Sequence, residues 1–511
     1  MTTISDEGTK YSLAAQTELR IEVSHLAFTS NPTSTGKCNV RLLSGSAEIF
    51  GIELAQNKWY SFSGQKFAVF TWHGAELEVK GEYDVLYESD ETSCNISYVN
   101  THAQLEVMRD EALQAAMNLS EDKNDSEIKS GPRVLVAGAA DSGKTSVTKI
   151  LAAYAAKLSR APILVDLDAS NNLLSVPGCI SAAPITADAL SVTHWIDSSK
   201  IAPLVYWYGT SDVMQNTELY TSLVTKLSQS IDARMKQDID NRTSGCIVNT
   251  TGSLIEGAGY ELLLEIISLL SIDVILITGH DRLHSMLKSH YKTKLQSESS
   301  GYHGPKIIKL PRSGGVVSRN DQYRRIVRSS AIRKYFYGDL VAIKTPVSAQ
   351  QPQKNNAPLT TCTFQFSPAH VEIDFSEISV YKTSKVSLSK NLLTIAGTQL
   401  SSKVQLDPVN HSDFGANLIH ILMAVCHPAA VDRYKKALEA ASMAENSGDS
   451  SGSDPDDLRT QAAESLFSSS VAGFVVVEAV DTNKQRLTLL SPCSGDLPSR
   501  TFITGGIAWM E

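Results

Sequence analysis

The sequence predicts an α/β protein in three parts. A central domain with a mostly parallel sheet is flanked by an N-terminal β-sandwich-like domain and a C-terminal domain that is mainly β with some helix (α+β). Short alternating runs fill the first 100 residues, apolar runs alternate with helical stretches after residue 131, and β-like runs return after residue 340. We therefore expect domains at residues 1–103, 131–340 and 341–511, with a connector at 104–130.

The bulk composition is ordinary for a globular protein. The chain has 511 residues, of which 42% are hydrophobic and 20% charged, and its formal net charge is −9. This charge argues against general adhesion to nucleic acid, although it leaves room for one local basic groove. No apolar run approaches the roughly 20 residues that span a bilayer, and the polar N-terminus does not resemble a secretory signal. The seven scattered cysteines include no CxxC pair, which favours free thiols in a reducing compartment over a zinc site.

The first 100 residues have the pattern of a small β domain. Runs such as ELRIEVSHLAF, CNVRLLSGSAEIFGIEL and KFAVFTWHGAELEVKG alternate apolar and polar residues between turns, which favours a sandwich or a barrel. The connector has apolar residues at helical spacing, at Leu105, Met108, Leu113 and Met117. We expect a helix there.

The central domain is expected to hold parallel strands that are covered by helices on both faces, since short apolar runs alternate with helical stretches. The predicted strands are residues 133–136, 163–167, 246–249, 273–278 and 306–309. In the C-terminal part, the runs TFQFS, HVEIDF, KVQLDP and GFVVVEAV predict strands, and residues 345–360 predict a mobile loop. The acidic, Ser/Gly-rich stretch at 445–457 predicts a disordered insertion.

A glycine loop at residues 138–145, with the sequence GAADSGKT, matches the complete GxxxxGK[ST] pattern. A strand pattern precedes it and a helix pattern follows it, which is the context of a P-loop NTPase rather than of a glycine-rich turn with a surface lysine. Backbone N–H groups would surround the phosphates of a nucleoside triphosphate, Lys144 would reach the β- and γ-phosphates, and Thr145 would hold Mg²⁺. The predicted binding residues are Gly138, Ala140, Asp141, Ser142, Gly143, Lys144, Thr145 and Ser146.

Asp168 falls at the carboxyl end of the next predicted strand, where ligands of such folds bind. Its carboxylate could hold Mg²⁺ or accept a proton from an attacking hydroxyl, and the alternative is a structural cap on the following turn. Asp166 lies deeper in the strand and is the weaker candidate.

An arginine-rich stretch follows the Gly314–Gly315 bend. Arg319 and Arg324 could fold over a nucleotide as a lid and neutralise charge that moves between phosphates. The alternative is a solvated basic helix face. The same run, Arg319 to Lys334, could also contact RNA or an acidic peptide.

Several stretches, in order along nearly the whole chain, are typical of one family. They are TELRIEV, GSAEIFGIEL, AVFTWHGAELEVKG, GPRVLVAGAADSGKTS, VPGCISAAPI, GCIVNTTG, LPRSGGVVSR and IRKYFYG. With them the chain resembles the eukaryotic polyribonucleotide 5′-hydroxyl kinase family, and most nearly its fungal branch, which serves as a subunit of the mRNA 3′-end cleavage and polyadenylation factor.

The resemblance implies three domains, with ATP and Mg²⁺ bound between the first two. It implies that Glu18 and Lys66 lie near the adenine. It also implies a nuclear protein, present as one copy in a hetero-complex, whose central domain binds a segment of the subunit that also binds the RNA polymerase II C-terminal domain.

Active members phosphorylate the 5′-hydroxyl of RNA, and this chain departs from their pattern at two positions. The family's Asp-x-Gly-Gln is replaced after Asp168 by Ala169, Ser170, Asn171 and Asn172, and Ser253 stands where active members have an aromatic clamp. An ATP-holding, catalytically inactive assembly subunit is therefore the favoured hypothesis. An active RNA 5′-hydroxyl kinase that uses Asp168, Arg319 and Arg324 is the second, and an ATPase motor or GTPase is the third.

Overall fold

The computed structural model describes residues 3–24, 36–118, 129–297, 304–344, 360–385, 404–447 and 455–510. The chain divides into two compact units. The first comprises Met1–Asp168, Ile180–Leu204 and Val224–Ile326, and the second comprises Ala169–Cys179, Val205–Leu223 and Val327–Glu511. This division does not test the three domain ranges expected from the sequence, which stay a prediction.

The N-terminal part of the first unit is a β-sandwich. Its strands are β1 Thr3–Leu13, β2 Thr17–Glu22, β3 Cys38–Gly45, β4 Glu48–Ile49, β5 Ile52–Glu53, β6 Trp59–Phe62, β7 Lys66–Thr71, β8 Ala75–Tyr83 and β9 Val85–Ser89. One sheet has the order β1-β8-β3-β6 and the other has the order β5-β4-β7-β2-β9. Side chains of both sheets, such as Leu19 and Val69 from one and Val40 and Leu77 from the other, are fully buried in one core. The sandwich prediction is confirmed.

Helix α1, Ser93–Met117, follows the sandwich and confirms the expectation of a helix, although it begins before residue 104. Its buried face includes Tyr98, Leu105 and Ala112, together with the fully buried Arg109. The Arg109 guanidinium donates through Nε to the carbonyl of Ser244 at 2.9 Å. The apolar spacing in the sequence indicated Leu105 but not the rest of this buried face, because a charged residue lies at its centre.

The central part contains both strands and helices. They are β10 Arg133–Gly138, α2 Lys144–Lys157, β11 Ile163–Asp166, β12 Cys179–Pro184, β13 Leu190–Ser191, β14 Trp195–Ile196, β15 Leu204–Trp207, α3 Thr217–Gln237, α4 Ile239–Ser244, β16 Cys246–Asn249, α5 Ala258–Leu269, β17 Val274–Thr278, α6 Asp281–Ser297, β18 Lys306–Leu310 and α7 Asp321–Tyr337. Within the first unit, the strands lie in the order β12-β11-β16-β10-β17-β18.

The prediction of a mostly parallel sheet is confirmed. Strands β11, β16, β10, β17 and β18 pair in parallel. Strand β12 pairs antiparallel with β11 and was not predicted from the sequence. Its segment, CISAAP, has only one large β-branched residue, Ile180, among small residues, so its pattern is weak.

The C-terminal elements in the second unit are strands and helices, which confirms an α+β domain. They are β19 Leu340–Lys344, β20 Thr360–Phe364, β21 Ala369–Asp374, β22 Ser379–Lys385, β23 Val404–Pro408, α8 Phe414–Asn417, β24 Ile421–Cys426, α9 Pro428–Ser447, α10 Pro455–Phe467, β25 Val471–Asp481, β26 Arg486–Ser491 and β27 Thr501–Ala508. Seven of these strands form a sheet in the order β21-β26-β25-β24-β27-β22-β23. Phe414, Val477, Leu487 and Phe502 are fully buried in its core.

Two sequence predictions fall mainly outside the described residues. The mobile loop at 345–360 does so except for Thr360, which begins β20. The insertion at 445–457 has helical ends, since α9 reaches Ser447 and α10 begins at Pro455, and its middle lies outside the described part.

Three further properties concern the described residues alone. Six cysteines are free thiols there, as expected, while the Cys362 side chain lies outside them. No described helix is long and apolar enough to cross a membrane. Across the same residues there is no group of three or more His, Cys, Asp or Glu side chains that could hold a metal ion.

Candidate functional site

The candidate site lies at the carboxyl edge of the central sheet. Val136 of β10 and Asp166 of β11 both pair with Asn249 of β16, while Gly138 of β10 pairs with Thr278 of β17. Because parallel strands end on the same side, the loops that follow them meet at this edge. The sheet register therefore gathers residues that are far apart in sequence.

The glycine loop follows β10 and leads into α2. Gly138 and Gly143 have φ values of +154° and +89°, which favour glycine, and Asp141 is a non-glycine residue with φ of +53°. A Cβ on Gly138 would lie 2.5 Å from Thr278 Oγ1, and one on Gly143 would lie 3.1 Å from Val316 Cγ2. A side chain at Gly138 would collide with Thr278 of β17, and one at Gly143 would press against Val316.

Lys144 begins α2 and is buried, with 6% of its surface exposed. Its Nζ donates to the carbonyl of Ala139 at 2.6 Å. Burial lowers the pKa of Lys144 to about 8, against the opposing charges of Asp168 and Asp141, while Arg324 lowers it further. The structure thus brings four predicted residues into one electrostatic neighbourhood.

The other loop residues support this geometry. The Oγ of Ser142 hydrogen-bonds with Thr278 Oγ1 at 2.7 Å, which ties the loop to β17. Thr145 and Ser146 are half-buried in the first turn of α2, and Ala140 is exposed. Whether these residues bind a ligand stays a prediction.

Asp166 and Asp168 have different surroundings. Asp168 is half-buried, and its backbone N–H donates to Asp166 Oδ1 at 3.0 Å. Asp166 is fully buried, and the same oxygen accepts a bond from Asn249 Nδ2 at 3.0 Å. Asp166 therefore holds the turn that carries Asp168. Sequence analysis missed Asn249 because an amide in an apolar strand run gives no local signal.

The segment after β16 packs directly on the glycine loop. A Cβ on Gly252 would lie 2.5 Å from the backbone nitrogen of Ala140. Thr250 Oγ1 donates to the carbonyl of Val136 at 2.7 Å. Ser253, the residue at the expected aromatic position, is exposed.

Asp141 connects the glycine loop to the arginine-rich stretch. Its Oδ2 accepts from the Arg319 backbone N–H at 2.9 Å and from Arg324 Nη2 at 2.6 Å. Arg325 is exposed, while Arg328 and Arg333 belong to the second compact unit. The two predicted lid arginines are thus the ones that the structure brings to the loop.

The two predicted N-terminal residues are engaged with neighbouring charges. Glu18 is buried and accepts a bond from Arg20 Nε at 2.6 Å. Burial raises the pKa of Glu18, although the bond from Arg20 opposes the shift. Lys66 Nζ lies 2.7 Å from Glu22 Oε2 and 5.5 Å from the ring centroid of Tyr323.

Arg20 itself lies against the glycine bend that precedes the arginines. A Cβ on Gly315 would lie 3.1 Å from Arg20 Nε, and one on Gly314 would lie 2.3 Å from Glu91 Oε2. The bend thus allows close approach of the N-terminal sandwich. The sequence drew attention to Glu18 but not to Arg20 or Tyr323.

A cavity of about 440 Å³ opens at the carboxyl ends of β17 and β18. Three of its lining residues are Lys or Arg, one is His and one is Asp, and the full lining consists of Gly279, His280, Asp281, Arg282, Lys309, Leu310, Pro311 and Arg312. Thr278, the β17 residue just before it, pairs with Gly138. The cavity therefore lies at the same edge of the sheet as the glycine loop.

Three family models match the chain in succession. They are an N-terminal β-sandwich domain of polyadenylation factor at residues 12–112, the P-loop of mRNA cleavage and polyadenylation factor Clp1 at 138–338, and pre-mRNA cleavage complex II protein Clp1 at 366–511. The chain belongs to the Clp1 family. The central Clp1 model spans the glycine loop, Asp168, Gly252 and both lid arginines.

Curated Clp1 relatives match over nearly the whole chain. The Arabidopsis thaliana protein CLP1 homolog is 33% identical over 502 residues, which are 98% of this chain and 94% of the relative. The human polyribonucleotide 5′-hydroxyl-kinase Clp1 is 31% identical over 504 residues, which are 98% of this chain and 97% of the relative. The resemblance inferred from sequence stretches is thereby confirmed.

Two solved structures share the Clp1 fold. One is a complex of wild-type Clp1p with a Pcf11p segment, with a TM-score of 0.70, 24% identity and full coverage of both chains. The other describes an extended Pcf11p–Clp1p interface and the basis of ATP loss in a point mutant. Its TM-score is 0.71 at 23% identity, and it covers 99% of this chain and 100% of that chain.

Proposed function

We propose that this Clp1-family chain holds ATP with Mg²⁺ without rapid turnover and acts as a structural subunit of the nuclear pre-mRNA 3′-end cleavage and polyadenylation machinery. One observation carries the proposal. The loop that would bind the phosphates of ATP has all its expected residues, whereas the residues that would hold an RNA acceptor are missing. Lys144 lies among Asp141, Asp168 and Arg324, whereas an exposed serine, Ser253, occupies the aromatic position of the family.

The glycine loop fits a nucleoside triphosphate. Gly138 and Gly143 allow a tight turn that leads directly into α2, and backbone N–H groups at a helix N-terminus favour phosphates. Lys144 adds a buried cation at the start of α2. Gly138, Ala140, Ser142, Gly143 and the residues of the first helical turn would bind the phosphates.

A magnesium ion fits two predicted ligands. The hydroxyl of Thr145 and the carboxylate of Asp168 are hard oxygen donors of the kind that Mg²⁺ prefers, with water and phosphate oxygens completing its octahedron. When bound, the ion neutralises part of the phosphate charge. Asp166 and Asn249 would hold the Asp168 turn in place from the strand side.

Transfer of a phosphoryl group needs an acceptor that is fixed in line, because catalysis of this reaction consists mostly of positioning and charge stabilisation. Base stacking on an aromatic clamp is worth about 1–3 kcal/mol. Ser253 cannot supply it, and Ser170 and Asn171 replace the glycine and glutamine that follow the aspartate in active relatives. Loss of acceptor positioning removes several kcal/mol of rate acceleration, of the order of the proximity effect, while ATP binding can persist.

The N-terminal sandwich would retain the nucleotide. Arg20 lies against the Gly314–Gly315 bend, and Lys66 lies beside Tyr323 of α7, so the sandwich contacts the lid that carries Arg319 and Arg324. Glu18 and Lys66 are proposed to lie near the adenine. Bound ATP would stabilise this closed arrangement by mass action.

The proposed partners are other subunits of the cleavage factor. The related Clp1p structures contain Pcf11p, which supports an equivalent partner here, namely the subunit that also binds the RNA polymerase II C-terminal domain. The chain would act as a single copy within that complex. The basic run from Arg319 to Lys334 is the proposed RNA contact.

Purification without added nucleotide tests the proposal. The full chain is denatured, and the released nucleotide is identified by chromatography. Close to one intact ATP per chain supports retention without turnover. Lys144→Ala should release none while its circular dichroism and unfolding transition remain those of a folded protein. An empty wild-type site would exclude the retention proposal.

The second candidate is an active RNA 5′-hydroxyl kinase. The close grouping of Lys144, Asp168, Asp141 and Arg324 favours it, as does the name of the human relative. Transfer of labelled phosphate from ATP to 5′-hydroxyl RNA at about 1 s⁻¹ or faster, the enzyme range, would establish it and overturn the inactive assignment.

A further inference from the structure

Asp141 is the one acidic side chain within the glycine loop, residues 138–145. An acidic group next to bound phosphates weakens anion binding through like-charge repulsion unless a cation neutralises it. Asp141 also adopts φ of +53°, a conformation that costs an aspartate energy and that glycine adopts freely. A favourable contact of the carboxylate would offset both costs.

The contacts of that carboxylate indicate the role. Oδ2 accepts a bond from the Arg319 backbone N–H at 2.9 Å and another from Arg324 Nη2 at 2.6 Å. The ion pair is mostly shielded, with 15% of the Asp141 side chain and 34% of the Arg324 side chain exposed. One oxygen thus fixes both the backbone just before α7 and a guanidinium in its first turns.

The lid is held on its other side by the N-terminal sandwich. Tyr323 lies one residue before Arg324, and its ring centroid is 5.5 Å from Lys66 Nζ and 5.7 Å from Arg319 Cζ. The segment from Arg319 to Arg324 is therefore fastened to the glycine loop by charge-assisted hydrogen bonds and to the sandwich by a cation–aromatic contact.

We propose that Asp141 is a lid-positioning residue, whose carboxylate latches Arg319 and Arg324 onto the glycine loop and so slows the release of a bound nucleoside triphosphate. The effect on release rests on the proposed function, whereas the latch itself does not. Arg324 has five N–H donors, and one of them on Asp141 leaves the others for phosphate oxygens. Pairing with Arg324 also neutralises the Asp141 charge that would repel phosphate.

Limited trypsin digestion of the full chain, stripped of nucleotide, tests the latch directly. Trypsin cleaves after Arg319, Arg324 and Arg325, and mass spectrometry quantifies each cut. Asp141→Asn keeps the shape but removes the charge, so these cuts should become about tenfold faster, the size expected for loss of a charge-assisted hydrogen bond. Asp141→Gly suits the left-handed backbone and should fold, and it should show the same acceleration.

The matched control is Asp240→Asn. Asp240 is an exposed acid in the first turn of α4, next to the amino end of β16 and so at the opposite edge of the sheet. Its cleavage rates should stay within about twofold of the wild type. The double variant tests whether Asp141 and Arg324 act together. Once Arg324→Gln has been made, adding Asp141→Asn should change the remaining cleavage rates by less than about twofold.

Release of a fluorescent ATP analogue in a chase experiment is the second readout. Asp141→Asn should accelerate release about tenfold. Wild-type cleavage rates in both Asp141 variants, or additive effects in the double variant, would overturn the latch. A wild-type chain that binds no ATP would overturn the proposed function, while the digestion result still decides the latch.

Discussion

Asn249 donates a hydrogen bond from Nδ2 to Oδ1 of Asp166 at 3.0 Å, and both residues are fully buried. The two are partners in the parallel pairing of β16 and β11. The same Asp166 oxygen accepts the backbone N–H of Asp168. A buried amide therefore anchors the turn that presents the candidate metal ligand.

Asn249→Ala is expected to lower the free energy of unfolding by about 1–3 kcal/mol, because it leaves a buried acceptor on Asp166 without one of its donors. Urea unfolding followed by circular dichroism measures the change. Asn118→Ala replaces an exposed asparagine at the end of α1 and should stay within about 0.5 kcal/mol of the wild type. Equal effects of the two substitutions would contradict the anchoring role.

ATP affinity is expected to fall at alkaline pH because burial lowers the pKa of Lys144 to about 8. Below that pH the ammonium is present and can bind phosphate. Above it, binding must first take up a proton, so affinity should drop about tenfold per pH unit. Titrations between about pH 7.5 and 9.5 test this. Lys144→Arg keeps its charge and should remove the dependence, and a flat wild-type profile would be the contrary result.

Gly252→Ala is expected to weaken ATP binding at least about tenfold and to destabilise the fold by about 1–3 kcal/mol. The new Cβ would lie 2.5 Å from the backbone nitrogen of Ala140, so the glycine loop must shift. Calorimetric titration with ATP and thermal unfolding measure both effects. Gly506→Ala is the control, since its nearest neighbour would be at 3.7 Å. Unchanged binding in the first variant would show that the loop tolerates displacement.

Glu48 of the sandwich is buried and accepts a hydrogen bond from the hydroxyl of Tyr154 on α2. Burial raises the pKa of Glu48, with the Tyr154 bond opposing the shift. The folded protein thus binds this proton more tightly than the unfolded chain does. The charged form therefore costs stability at neutral pH, and that cost disappears as the pH falls toward the ordinary value of 4.5.

Glu48→Gln is accordingly expected to stabilise the protein at pH 7, with a gain that shrinks toward about pH 4.5. Tyr154→Phe should instead cost about 1–3 kcal/mol, because it leaves the buried carboxylate without one of its donors. Urea unfolding at the two pH values measures both. Glu53→Gln alters an exposed acid of the same hairpin and should change stability little at either pH. A loss of stability in Glu48→Gln at pH 7 would contradict the expectation that the charged Glu48 side chain destabilises the fold.

Much of the architecture could be predicted because local sequence patterns indicate it. The parallel strands alternate with helices and have apolar runs, and the glycine loop is a contiguous motif between one strand and one helix. Strand β12 could not be found, since its small residues carry little strand preference and its antiparallel direction depends on its neighbour. The first turns of α1, before residue 104, were also missed, because the Ser, Asn, Val and Thr residues of that stretch are weak helix formers.

The candidate site was predicted in part. Residues within or next to a local motif were identified, whereas residues whose partners lie far away in the sequence were not. Lys144, Thr145 and Asp168 occupy positions that the loop pattern and the strand end indicate by themselves. The role of Asp141 could not be predicted, because its partner Arg324 lies 183 positions away. Arg20 and Tyr323 were likewise overlooked, since their neighbours belong to other parts of the chain.

The family, the alternation of the parallel strands with helices, and the loop that would bind phosphates could all be inferred from the sequence alone. These properties depend on neighbouring residues and on the period of apolar side chains. Which acids pair with which cations, and which glycines touch another backbone, became known from the three-dimensional structure. Such contacts depend on the order and register of the strands in the sheet, and side-chain periodicity does not specify that order.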